Sequence, residues 1–107
     1  MGNDNIDKFL PLTESTYYAM LTLLEPEHGY AIMQKVTEIS RGNVTLGPGT
    51  LYGILSMLEK EGLIIKVKEE DRRKSYILTT KGKQLLLKQI QRLEIMTQNG
   101  VSVRNRL

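Results

Sequence analysis

Between Leu46 and Ile64 the chain runs Leu46-Gly47-Pro48-Gly49-Thr50-Leu51-Tyr52-Gly53-Ile54-Leu55-Ser56-Met57-Leu58-Glu59-Lys60-Glu61-Gly62-Leu63-Ile64. That pattern admits little other than a short helix with one buried side. Leu51, Ile54, Leu55 and Leu58 recur at i, i+3, i+4 and i+7, a single stripe that must face a core. Gly47 is placed to cap the helix, and Pro48 stands at its first position, where a missing N–H costs little. Gly62 ends it. The opposite face carries Gly49, Gly53, Ser56 and Lys60, with Tyr52 and Met57 on its flanks. A helix made only for solvent would carry more Glu and Lys there. Small residues, hydroxyls and one terminal cation suit close approach to the groove of a polyanion.

The charge distribution points to the same kind of partner. The net charge is only +3, yet residues 1–40 carry −4 and residues 41–107 carry +7. Such asymmetry suggests that the C-terminal part meets a polyanion. With 107 residues and 40% hydrophobic content the chain makes one modest domain. The absence of Cys excludes disulfides and thiolate chemistry and fits a reducing compartment. No apolar stretch reaches the roughly 20 residues that span a bilayer. The first five residues also lack the basic start and apolar run of a signal peptide. A cytoplasmic location without a membrane partner is the expectation.

Other elements follow from local signals. Residues 1–10 show little periodicity and read as a flexible lead. Thr13 is a candidate N-cap with Glu14 in the first turn, and Tyr17, Met20, Leu21 and Leu24 form an apolar stripe behind it. Glu25-Pro26-Glu27-His28-Gly29 reads as a turn that interrupts this helix. A second helix, about Gly29 to Ser40, is expected to bury Ile32, Val36 and Ile39, with Tyr30 and Met33 extending its apolar side. Gly42 closes it. After the helix that starts at Pro48 and is ended by Gly62, Ile64–Lys68 and Ser75–Thr79 have the alternation of two strands joined by a polar tip at residues 69–74. A last helix is expected over about 80–97, ended by Asn99-Gly100, with a frayed tail at 100–107.

Three helices, a β-hairpin and a final helix make a mainly α fold with a small β component. A helix followed by a basic hairpin is the order of a winged helix-turn-helix, here over residues 11–79, with residues 80–99 as a dimerisation helix. The start of the third helix offers unpaired N–H groups to a phosphate. Gly47, Pro48, Gly49, Thr50, Tyr52, Ser56 and Lys60 are therefore candidate contacts to double-stranded DNA, the helix entering a major groove. The hairpin adds Lys68, Arg72, Arg73 and Lys74, since Arg suits phosphate and a narrow minor groove. Glu69, Glu70 and Asp71 oppose that role at the tip itself. On the last helix Leu86, Ile90, Leu93 and Met96 make a near-heptad seam, expected to pair with a second copy of the chain.

One His, no Cys and scattered carboxylates offer neither a metal cluster nor a nucleophile with its base. Neither enzymatic activity nor a cofactor is expected. His28, beside Gly29-Tyr30, suits a helix start. Two other readings stay open on the residues alone: a winged helix that docks a protein, and a small-molecule sensor whose pocket lies between paired final helices.

Several segments, in order and spacing, resemble the PadR family of transcriptional regulators. These are Glu27-His28-Gly29-Tyr30-Ala31-Ile32, Gly47-Pro48-Gly49-Thr50-Leu51-Tyr52, Leu58-Glu59-Lys60-Glu61-Gly62-Leu63-Ile64, and Arg72-Arg73-Lys74-Ser75-Tyr76-Ile77-Leu78-Thr79 with Gly82 behind it. The length is similar to that of the short subfamily, which has a single C-terminal dimerisation helix. The resemblance implies a homodimeric winged-helix repressor on an inverted repeat, released in some members by a small molecule. Members that bind flat aromatic drugs between their C-terminal helices can use a Trp. This chain has none, so Leu86, Ile90, Leu93 and Met96 imply an aliphatic pocket for a hydrophobic ligand, or no ligand.

Overall fold

A computed structural model describes residues 5–107, apart from the side chain of Lys68. The first four positions of the expected N-terminal lead fall outside the described residues.

The first helix, α1 (Glu14–Leu21), begins where its cap predicts: the Thr16 N–H donates to the Thr13 hydroxyl at 3.1 Å. Its buried face differs from the expected one. Thr16, Ala19, Met20 and Leu23 turn inward, while Leu24 is 60% exposed and Tyr17 and Leu21 are half-buried. The chain leaves α-helical winding after Leu21 and tightens into a 3₁₀ turn over Thr22–Leu24. The tighter turn carries Leu23 into the core in place of Leu24.

The expected turn before the second helix contains a strand. Glu27–His28 (β1) pairs antiparallel with Arg73–Leu78 (β3), Glu27 opposite Tyr76 and His28 opposite Ser75. Two residues cannot announce a strand locally; they extend because β3 offers them an open edge. The other edge of β3 takes Ile64–Glu70 (β2), giving the sheet order β1-β3-β2. Lys66 stands opposite Tyr76 and Lys68 opposite Ser75, so Val67 is an extra residue in β2, a bulge that bends and twists the hairpin.

The hairpin tip is shorter than its sequence suggests. Both strands continue to Glu70 and Arg73, leaving Asp71-Arg72 as a two-residue turn with φ of 50° and 67°. Tight hairpins need such left-handed central residues, and a glycine or asparagine normally marks them. This turn has neither, so the sequence spreads the tip over six residues.

Helix α2 (Gly29–Ile39) buries Ile32 and Val36, whereas Ile39 and Tyr30 are exposed. Its end turns at Arg41 and Gly42, both at positive φ. The buried Ser40 hydroxyl accepts from the Val44 N–H at 3.0 Å, which sets the path into α3 (Pro48–Lys60). Leu51, Leu55 and Leu58 of α3 are buried with Met20, Leu63 and Ile64 in one core.

Helix α4 (Thr80–Arg104) docks through its first turns. The Thr79 hydroxyl accepts from the Gly82 N–H at 3.0 Å and donates to the Gly62 carbonyl at 2.7 Å, and Leu85 is fully buried. The helix passes through the expected stop at Asn99-Gly100. Gly100 does not take the left-handed conformation of a cap, so its cost within a helix, about 1 kcal/mol, is absorbed. Residues 5–10 do not form a loose lead. Ile6–Phe9 is a 3₁₀ turn with Ile6 in the core, Asp7 pairs with Lys88 at 2.7 Å, and the Leu12 N–H donates to Gln89 Oε1 at 2.9 Å. These contacts tie residues 6–12 to α4.

Candidate nucleic-acid interface

Gly47 meets α3 with extended backbone (φ −82°, ψ 167°), and Pro48 occupies the first helical position. The residues of that terminus, Gly47 to Thr50, are all exposed. Among the described residues, a Cβ built on Gly47, Gly49 or Gly53 would meet nothing within 4 Å. No contact among them therefore requires these glycines to lack side chains.

From this terminus the exposed face of α3 runs along one wall of a cleft of about 450 Å³. Tyr52, Ser56 and Glu59, spaced i, i+4 and i+7, supply that wall. The hairpin supplies the opposite wall through Arg72, Arg73, Lys74 and Tyr76, and the junction of β1 with α2 closes one end with His28, Gly29 and Tyr30. Among the described residues lining it, three cations thus face one carboxylate across a concave surface, an arrangement that attracts anions. The Tyr76 hydroxyl is pushed above its ordinary range, first by burial and then by the negative charge of Glu59, with smaller contributions from Tyr52 and Glu69. It stays neutral, able to donate or accept one hydrogen bond.

Five of the candidate DNA contacts line this one cleft: Tyr52, Ser56, Arg72, Arg73 and Lys74. Gly47, Pro48, Gly49 and Thr50 stand at the exposed start of α3, and Lys60 at its exposed far end. The Lys68 side chain lies outside the described residues. Arg72 sits in the hairpin turn itself, which closes at Asp71-Arg72.

Sequence reasoning did not place His28, Gly29, Tyr30, Glu59 or Tyr76 in this cleft. Two of them left a signal: Glu59 follows Tyr52 by seven residues, and Tyr76 stands two residues before Leu78, on the same buried face of β3. The other three enter only because β1 pairs with β3. Of the seam residues of α4, Leu86, Ile90 and Leu93 are half-buried, with Leu86 against the domain's own core. Ile95 and Met96 are 61% and 62% exposed, and Val101 and Val103 are exposed as well. Among the described residues no three His, Cys, Asp or Glu side chains gather closely enough to hold a metal ion. No helix among them is long and apolar enough to cross a membrane.

The same organisation occurs in known proteins. The chain is 31% identical over 72 residues to the transcriptional regulator YqjI of Escherichia coli, covering 67% of this chain and 35% of that protein. It is 41% identical over 61 residues to an uncharacterised 37.1 kDa protein of a Streptomyces fradiae transposon, covering 57% of this chain and 17% of that one. The chain therefore spans about a third or less of the curated relatives it matches. Its fold is similar to that of a PadR-like transcription factor from Bacteroides fragilis, with a TM-score of 0.71, 27% identity, and coverage of 94% and 99% of the two chains. It is also similar to smu.1704 from Streptococcus mutans, with a TM-score of 0.65, 27% identity, and coverage of 92% and 96%. Residues 18–88, about two-thirds of the chain, match the PadR-like family of transcriptional regulators. By this match, and by the winged helix with its long C-terminal helix, the chain belongs to the PadR-like family of transcriptional regulators.

Proposed function

We propose that the chain binds double-stranded DNA sequence-specifically, as a homodimeric repressor on an inverted-repeat operator. The observation that carries this reading is the cleft that sets Tyr52 and Ser56 of α3 beside Arg72, Arg73 and Lys74 of the hairpin. In this reading α3 enters a major groove, with Tyr52 and Ser56 at base edges and the hairpin cations on the flanking backbone. Gly49 and Gly53 support it. A glycine inside an exposed helix face costs about 1 kcal/mol, and no contact among the described residues explains it here. An outside surface that approaches closely does.

The exposed apolar side chains of α4 beyond Leu93 support pairing with a second copy. Two copies would present their α3 helices to half-sites about 34 Å apart if these lie one turn apart. A ligand site between paired α4 helices would be lined by Leu86, Ile90, Leu93 and Met96, and would take an aliphatic molecule rather than a flat aromatic one.

The test is fluorescence anisotropy with DNA from upstream of the protein's own gene against scrambled DNA, across a salt series. Preference for the upstream fragment that survives added salt is the expected outcome. If equal, salt-sensitive binding persists after selection from a random library, sequence specificity is lost as a reading. No binding at low salt removes DNA altogether. Sedimentation at micromolar concentration checks the dimer, and a monomer there would overturn it.

A further inference from the structure

Gly29 opens α2 in ordinary, not left-handed, backbone, so its own conformation does not demand glycine. Its surroundings do. A Cβ at this position would lie 2.4 Å from the Tyr52 hydroxyl oxygen, 3.0 Å from Cζ and 3.4 Å from Cε1. The phenol of Tyr52 reaches from α3 and rests its polar end on the bare start of α2. Tyr52 remains 51% exposed and lines the cleft beside Ser56 and Tyr76. One end of the ring is seated and the rest faces the cleft.

This seat limits a side chain that otherwise has two free torsions. A methyl group on residue 29 would overlap the hydroxyl, and the ring, which lines the cleft, would have to leave its place on the start of α2. Its position on the surface proposed to meet DNA would change with it. We propose that Gly29 is a positioning residue for sequence readout, acting through Tyr52 by holding the phenol on the start of α2. The proposal rests on the DNA-binding reading and adds a determinant that lies on α2, outside the helix that enters the groove.

The experiment uses the full chain and the DNA site selected by the wild type from a randomised library. Anisotropy compares that site with scrambled DNA for wild type, Gly29→Ala, Tyr52→Ala and the double variant, with melting followed by circular dichroism. Gly29→Ala is expected to lower the ratio of specific to scrambled affinity about tenfold, the scale of one lost base contact. Scrambled binding and its salt slope should not change. In the Tyr52→Ala background the same substitution should leave the ratio unaltered and raise the melting temperature, because alanine is the better helix residue once the phenol is gone.

Three results would overturn the role of Gly29: an unchanged ratio in the single variant, an equal loss on scrambled DNA, or an equal loss in the Tyr52→Ala background. The last two would mark general damage to the fold. A wild type that selects no preferred site overturns the DNA-binding reading itself, which separates that failure from this one.

Discussion

Gly82 and Leu63 meet backbone to backbone: a Cβ on Gly82 would stand 2.1 Å from the Leu63 carbonyl oxygen and 3.0 Å from its carbon. The Thr79 N–H donates to that same oxygen at 3.0 Å. The first turn of α4 is thereby pressed onto the root of the hairpin, and the direction of the whole helix is set there.

Gly82→Ala should therefore destabilise the chain by at least the 1–3 kcal/mol of about one misfit core group. The contact is with backbone, which cannot swing aside as a side chain does. Urea unfolding measures it, and a loss under about 0.5 kcal/mol, within the range of ordinary surface changes, would mean that α4 tilts away freely.

Gly53→Ala should act in the opposite direction on stability. Its Cβ would enter open space, so the exposed helix gains about 1 kcal/mol in propensity. DNA affinity should fall, since the methyl group projects from the face proposed to meet the groove. A variant that is more stable and binds equally well would place the groove contact elsewhere on α3.

Replacing Arg72 and Arg73 together by Ala should weaken binding to specific and scrambled DNA alike. The slope of log affinity against log salt should flatten by about two units if both side chains meet phosphate. An unchanged slope would take the hairpin off the DNA.

Stability should fall in strong alkali, and Tyr76 should be a cause. Its hydroxyl titrates above the ordinary 10.0 in the folded chain because of burial and Glu59. The folded state therefore holds the proton more tightly than the unfolded one, and its contribution is complete below pH 10 and lost as pH rises through the folded value. Tyr17, raised by burial and by Tyr18, behaves in the same way. Tyr76→Phe should flatten the decline of stability above pH 10 only in part, and the double variant with Tyr17→Phe should flatten it further. Denaturant midpoints between pH 8 and 11 decide this, and parallel curves for all three proteins would refute it.

How much could be read in advance depended on how far apart the deciding residues stand. Helix α3 was legible from end to end, because Gly47, Pro48, the leucine stripe and Gly62 all act within the helix or next to it. The Thr13 cap was legible for the same reason. The buried face of α1 was not, since a 3₁₀ turn at Thr22–Leu24 exchanged Leu24 for Leu23. In the cleft, Tyr52, Ser56 and the hairpin cations could be nominated from sequence, while His28, Gly29 and Tyr30 could not.

Sequence alone determined the order of the four helices and the hairpin, the bounds of α3 and the concentration of positive charge behind it, all products of local backbone preference and composition. Tertiary structure decided which of those charges share a surface. It extended Glu27–His28 along the open edge of β3, carried Ile6 into the core, and brought α2, α3 and the hairpin around one cleft. Each of these depends on pairing or close packing between residues far apart in the chain. Such contacts are set by partners distant in sequence, so no local signal announces them.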